Sequence, residues 1–190
     1  MLNVARGLAR EVGLVPVRSG AGAALRLLAA AGGAKAVVEI GTGTGVSGLW
    51  LLRGMRPDGV LTTIDVEAEH QRMARRIFVE AGFAPSRTRI ITGRALDVLP
   101  RLADGAYDLI FVDSGPEEHE ACVDAALRLL RPGGILAVNG ALAGGRIADP
   151  AARDAETAAL REVVKALRDA DEWVPALLPV GDGLLVAVKR

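Results

Sequence analysis

Cysteine is almost missing from this chain of 190 residues. Cys122 stands alone, which excludes an internal disulfide, leaves the paired spacings of zinc sites without material, and fits a reducing, cytoplasmic compartment. An excess of charge is missing too. Twenty-three Lys and Arg balance 23 Asp and Glu, so no bulk field draws nucleic acid or an anionic membrane, and the expected partner is a small molecule. There is no long apolar run. Ala21 to Ala31 is the most apolar early segment, but Arg26 interrupts it and it is too short to span a bilayer. No basic start near Met1 leads into the clean apolar stretch of a signal peptide. Repeats, long linkers and low-complexity blocks are absent as well. What remains, with 51% hydrophobic residues, is material for one globular domain over 1–190, in which 1–18 form a short N-terminal extension.

The pattern centres on Val37-Val38-Glu39-Ile40-Gly41-Thr42-Gly43-Thr44-Gly45-Val46-Ser47. A buried strand, Ala36 to Ile40, runs into a glycine turn and then a short helix, Val46 to Leu52. The start of such a helix offers backbone N–H groups and a positive dipole end to a ligand's polar or anionic part. The dinucleotide fingerprint Gly-x-Gly-x-x-Gly would place its third glycine where Val46 stands, which argues against NAD. The next strand, Gly59 to Ile64, closes on Asp65, 24 residues after Gly41. That is where a doubly wound sheet places an acid for ribose hydroxyls, although Asp65 also reads as the cap of the following helix.

Along the rest of the chain, Met1 to Val15 and Ser19 to Ala31 read as helices, the second stopped by Gly32-Gly33. Trp50 reads as core. A helix over Glu67 to Ala81, a strand over Thr88 to Gly93, a helix over Ala95 to Leu102 and a strand over Tyr107 to Asp113 follow. Glu117 to Leu130 supplies the next helix, Arg131-Pro132-Gly133-Gly134 a turn, and Ile135 to Val138 a fifth strand. After a helix over Asp154 to Ala170, two apolar runs, Leu177 to Val180 and Leu184 to Val188, joined through Gly181-Asp182-Gly183, predict a hairpin. The expected fold is α/β: a mostly parallel seven-stranded sheet with an antiparallel last strand, helices on both faces, and a site at the carboxyl ends of the strands.

Seven segments in this order resemble the class I S-adenosylmethionine-dependent methyltransferases, and within them the catechol and caffeoyl-CoA O-methyltransferase-like family. They are Glu39-Ile-Gly-Thr-Gly-Thr-Gly-Val-Ser47, Leu61-Thr-Thr-Ile-Asp65, Gly93-Arg-Ala95, Tyr107-Asp-Leu-Ile-Phe-Val-Asp113, Leu130-Arg-Pro-Gly-Gly134, Gly144-Gly-Arg-Ile-Ala-Asp-Pro150 and Leu178-Pro-Val-Gly-Asp-Gly183. The likeness runs from Ser19 to the end and implies a Rossmann-like methyltransferase fold, S-adenosyl-L-methionine as methyl donor and O-methylation of a small-molecule hydroxyl. It also implies that Glu39 and the Gly41-Thr42-Gly43 turn hold the methionine and ribose parts, Ser47 the carboxylate, Asp65 the ribose and the backbone near Ala95 the adenine. Asp113 would lie beside the sulfonium, to stabilise its charge or to orient the acceptor, and a homodimer is a further implication.

Relatives that methylate catechols hold a divalent metal with the counterpart of Asp113 and an Asp-Asn pair after the fifth strand. They carry a lysine three residues beyond the first aspartate. Here those positions are Asn139, Gly140 and Pro116. Of the three lysines, Lys35 and Lys189 fall toward the opposite edge of the sheet and Lys165 inside the last helix. The expectation is weak or absent dependence on a divalent metal, because a hard cation needs several oxygens. As alternative bases, His119 reads more readily as an exposed residue in a helix's first turn, and His70 sits one helix earlier near the adenine edge. Cys122 reads as core, and Arg146 as a surface residue or a contact for an acidic acceptor. Two rival readings are a cofactor-binding protein that has lost its chemistry and an NAD-dependent oxidoreductase, the latter disfavoured by the glycine spacing and the hairpin ending.

Overall fold

The computed structural model describes residues 1–115 and 118–190. Its sheet has seven strands in the order β3-β2-β1-β4-β5-β7-β6. They are β1 (Ala36–Ile40), β2 (Val60–Asp65), β3 (Thr88–Thr92), β4 (Tyr107–Val112), β5 (Leu130–Asn139), β6 (Trp173–Leu178) and β7 (Leu184–Lys189). β1 pairs in parallel with both β2 and β4, whereas β7 runs antiparallel to β5 and to β6. The reversed final strand is therefore as expected, and the strand order reverses between β1 and β4, where doubly wound sheets open a crevice.

Alternation along the strands builds two cores. Val37, Leu109, Phe111, Ile135, Ala137 and Val186 face the layer of α1 (Leu2–Glu11), α2 (Ser19–Ala31), α3 (Val46–Gly54) and α4 (Ala68–Glu80). Val38, Ile110, Val112, Leu136, Val138 and Leu185 face α5 (Ala95–Val98), α6 (His119–Leu129) and α7 (Ala155–Asp169). Each large side chain removed from water here stabilises the fold by about 1.5–3 kcal/mol. Trp50 packs on this scaffold: a Cβ at Gly22 would meet its indole Nε1 at 2.3 Å, so α2 carries glycine where the ring passes.

Several boundaries differ from the sequence reading. The helix expected over Ala95 to Leu102 keeps α geometry only to Val98 and tightens to a 3₁₀ turn at Leu99–Arg101, where Pro100 removes a backbone donor. Arg131 to Gly134 belongs to β5 rather than to a separate turn. The β4–β5 register passes from Tyr107↔Leu130 to Leu109↔Ile135, so the extra residues are taken up as a bulge. The hairpin's first strand begins at Trp173, earlier than Leu177, and α6 runs His119–Leu129. Pro116 and Glu117, assigned to the lysine position and the helix start, lie outside the described residues. Beyond β5, a 3₁₀ segment at Ala143–Ala148 was not foreseen. Asp182 accepts from the Gly144 N–H through both carboxylate oxygens (3.0 and 3.1 Å), and the Arg161 guanidinium donates to the carbonyls of Arg146, Ile147, Asp149 and Ala152.

The N-terminal residues do more than their sequence suggests. Ala5 and Ala9 on α1 are fully buried, and the Thr44 hydroxyl donates to the Ala5 carbonyl at 2.8 Å, tying α1 to the glycine turn. Arg6 Nη2 donates to the Val17 carbonyl at 2.7 Å, which holds the strap between α1 and α2 across the carboxyl ends of the strands. Among the described residues, no helix is long and apolar enough to cross a membrane.

The α2–α3 contact supplies a paired test. A Cβ on Gly54 would lie 2.2 Å from the Arg26 carbonyl oxygen, whereas one on Gly7 meets nothing within 4 Å. Gly54→Ala should destabilise the fold by about 1–3 kcal/mol, and Gly7→Ala, inside α1, should be neutral or stabilise by up to about 1 kcal/mol. Urea titration of the two variants checks the opposite signs.

Candidate functional site

The carboxyl ends of β1, β2 and β4 converge on a cleft of about 430 Å³. Its floor is the turn after β1. The Gly41 N–H donates to the Ile64 carbonyl at 2.9 Å, and the Asp113 N–H to the Ile40 carbonyl at 2.8 Å, so the turn is hung between β2 and β4. Gly41 has φ +95, and a Cβ there would lie 2.4 Å from the Asp113 carbonyl oxygen; the conformation and the close approach both require glycine.

Asp65 acts on the turn as well as on the cleft. Its Oδ2 accepts from the Gly43 N–H at 2.8 Å and its Oδ1 from the Glu67 N–H at 2.9 Å, while His70 Nδ1 stands 3.8 Å from Oδ1. Asp65 therefore borders the cleft and orders the approach to α4 through the Glu67 N–H, but the cap position of that helix is Glu67 and not Asp65 as the sequence suggested. The Gly93 N–H donates to the Asp65 carbonyl at 2.9 Å, which brings the end of β3, and with it Ala95, to the same wall.

Glu39 is placed differently from the expectation. It lies fully buried beneath the turn and does not reach the cleft wall. The Thr63 hydroxyl donates to Glu39 Oε2 at 2.7 Å and lies 2.7 Å from the Thr42 hydroxyl. Because Thr63 spends its one proton on Glu39, Thr42 is the donor in the second bond. Desolvation pushes the Glu39 carboxyl up to about 8 against the opposing hydrogen bonds of Ser47 and Thr63, and the Asp113 and Asp65 charges push the same way. Its Oε1 is buried with no hydrogen-bond partner among the described residues.

Asp113 lines the cleft, and burial raises its carboxyl above the usual range while the Asn139 amide opposes this. Asn139 Nδ2 donates to Asp113 Oδ1 at 2.8 Å, so the side chain at the expected metal position presents a donor to the acid. Gly140 adds no side chain, and no group of three or more His, Cys, Asp or Glu that could hold a metal ion occurs among the described residues. Among Asp113, Asn139 and Gly140, Asp113 is the one carboxylate.

Of the sequence-predicted residues, Gly41, Thr42, Gly43, Ser47, Asp65, Ala95 and Asp113 share the cleft wall. The strap residues Leu14 to Val17 also line it and were missed. Leu14 and Val15 were read as the end of the first helix, which instead stops at Glu11, and the short run Leu14-Val15-Pro16-Val17 before α2 carries no periodicity of its own. Glu118 and Glu67 were likewise not singled out for the wall, and His70, discounted in sequence, is on it. His119 is buried rather than exposed, with Nε2 3.0 Å from the Ser114 carbonyl oxygen, and is not part of the wall. Cys122 is core, its thiol pushed up to about 12 by burial and the Glu118 charge, with a Ser114 hydrogen bond opposing. Arg146 pairs with Glu156 at 2.5 Å, away from the cleft. Lys35 pairs with Asp58, and Lys189 caps the end of α6 through the Leu127 and Leu130 carbonyls, both at the far edge of the sheet.

The arrangement suits a ligand that carries positive charge and hydroxyls: acids line the wall on either side of a glycine turn. Comparison with known proteins agrees. The model of the O-methyltransferase family matches residues 9–190. A probable O-methyltransferase of Mycobacterium tuberculosis strain H37Rv is 55% identical over 189 residues, covering 100% of this chain and 84% of that protein. A crystal structure of a Corynebacterium glutamicum protein superposes with a TM-score of 0.93 at 40% identity, covering 100% and 89% of the two chains. The O-methyltransferase TomG of Streptomyces achromogenes, involved in tomaymycin synthesis and solved in complex with S-adenosylmethionine, gives 0.90 at 32% identity, with the same coverage.

The Glu39 environment has a pH signature. The folded state holds the carboxyl neutral up to about 8, while an unfolded chain ionises it near 4.5. Folding therefore takes up a proton in that window, and stability falls as pH rises from 4.5 towards 8, by several kcal/mol on the order-of-magnitude scale of such a shift. Glu39→Gln should remove that slope, so that the variant gains on the wild type as pH rises; denaturant titrations across the window read the difference.

Proposed function

From the premise that this chain belongs to the O-methyltransferase family, we infer that it moves a methyl group from S-adenosylmethionine to a hydroxyl of a small molecule without a resident divalent metal. The observation that carries this is the acid-walled cleft at the switch point, with Asp65 and Asp113 at the ends of the two strands that flank β1 and the glycine turn between them. S-adenosylmethionine supplies an electrophilic methyl on a sulfonium. The chain's own part is positioning and charge. Asp65 receives the ribose hydroxyls, Ser47 in the first turn of α3 meets the carboxylate, and the backbone at Ala95 borders the adenine.

Asp113 has the catalytic role. Its carboxylate, in a site that raises the cost of ionisation, is stabilised by a neighbouring cation, and it holds the acceptor oxygen in line with the methyl while Asn139 fixes its orientation. With no lysine among the described residues of the wall and a donor set unsuited to a metal, alignment supplies most of the acceleration. The chain works as one domain. A homodimer is carried from the family resemblance and supported by the exposed apolar side chains of Val174, Leu177 and Val188 at the outer hairpin; light scattering reads it. A cytoplasmic site of action rests on the lone, buried Cys122.

Calorimetric titration with S-adenosylhomocysteine in EDTA, repeated with magnesium and with NAD, is the decisive experiment. Saturable binding in EDTA that magnesium leaves unchanged, with none for NAD, is expected. Failure of S-adenosylhomocysteine under every condition overturns the reading. Asp65→Ala should weaken that binding at least about tenfold, a loss of about 1.4 kcal/mol or more. Asp113→Asn should lower kcat by on the order of a hundredfold with a much smaller change in cofactor affinity. Turnover assays in EDTA separate a working enzyme from a binding protein.

A further inference from the structure

The described part of the cleft wall carries acids and no strong base. Asp65, Glu67, Asp113 and Glu118 line it, and His70 is the other titratable side chain; no lysine or arginine is among them. The cations nearest in sequence are spent or turned outward. Arg6 is bonded to the Val17 carbonyl and the Ser19 hydroxyl, while Arg18 and Arg94 are exposed and off the wall. The acids divide between two ends. Asp65 and Glu67 stand with His70, Gly93 and Ala95, whereas Asp113 and Glu118 stand with Ser114 and Gly115 at the start of α6.

On the reading given above, the methyl donor brings a sulfonium and an ammonium against one carboxylate, a single net positive charge. Asp113 faces the sulfonium, which leaves Glu118 as the uncompensated acid where the acceptor must lie. The strap adds apolar surface to the same cleft, with Val15 90% exposed, and apolar walls focus a charge rather than screen it.

We infer that Glu118 sets the charge class of the acceptor: the cleft takes a hydroxyl-bearing molecule that is uncharged or cationic and rejects one bearing a carboxylate or phosphate. A cationic group on the acceptor gains a partner in Glu118, and an anionic one meets a like charge that no wall residue offsets. This inference rests on the methyltransferase reading, and its test is built to fail separately from it.

Three probes share a 3,4-dihydroxyphenyl ring and differ in a two-carbon tail that ends in an amine, an alcohol or a carboxylate. Their kcat/KM values with S-adenosylmethionine are compared in the wild type, Glu118→Gln and Glu118→Lys, alongside calorimetric binding of S-adenosylhomocysteine. In the wild type the alcohol should exceed the carboxylate at least about tenfold, with the amine equal to or above the alcohol. The carboxylate-to-alcohol ratio should rise in Glu118→Gln, rise further in Glu118→Lys, and in the wild type rise with added salt. A carboxylate probe as good as the alcohol in the wild type, or a ratio unmoved by both variants, overturns the assignment to Glu118. Retained S-adenosylhomocysteine binding with no turnover of any probe overturns the acceptor class and leaves the cofactor reading standing. Loss of that binding in the wild type overturns the methyltransferase reading itself.

Discussion

The carboxylate of Asp65 bonds two backbone N–H groups at once, that of Gly43 at 2.8 Å and that of Glu67 at 2.9 Å. One end fixes the loop that follows β1, and the other fixes the path into α4. Charge-assisted bonds of this kind are shorter and stronger than neutral ones, and here they join two successive βα units across the floor of the cleft. The Gly93 N–H on the Asp65 carbonyl adds a third unit. The wall is thus assembled from strand ends that share one residue, and a ligand meets a surface already ordered before it arrives.

Beneath that surface, electrostatics and burial oppose each other. Glu39 is out of water and faces two other acids, so its proton is retained, and the Thr42–Thr63–Glu39 chain uses that carboxyl as the terminus of a directed set of hydrogen bonds. Asp113 is under the same pressure but borders open space, where a cation can relieve it. The two acids differ in function rather than in chemistry: one organises the turn from below, and the other borders the open cleft. Their difference comes from position along the strand: Glu39 lies inside β1 beneath Gly48 of α3, whereas Asp113 lies one residue beyond the end of β4.

Much of this was legible in the sequence, and for identifiable reasons. β1 and β2 are β-branched runs closed by Gly41 and by Asp65, which leaves little freedom in where they end. Gly41 announced itself because only glycine tolerates both the positive φ and the neighbouring strand. Other features had no local signal. Pro100 shortens α5 by removing one donor from an otherwise helical run. Trp173 to Leu178 mixes a proline with exposed apolar residues, so its strand character comes from pairing with β7. The strap at Leu14 to Val17 has no periodicity, and only the tertiary structure shows that it borders the cleft. Glu39 was read as a ligand contact with the turn that follows it; it lies instead under Gly48, off the cleft wall.

The bulge at Arg131 to Gly134 sits at the opposite end of β5 from Asn139. Pairing resumes at Leu109↔Ile135 and runs unbroken to Val112↔Val138, so the slack in β5 is taken up before the strand reaches the cleft. A change in chain length at the bulge is absorbed there and does not shift Asn139 against Asp113. The sheet thereby separates a segment that can take up a change in length from one whose register is fixed.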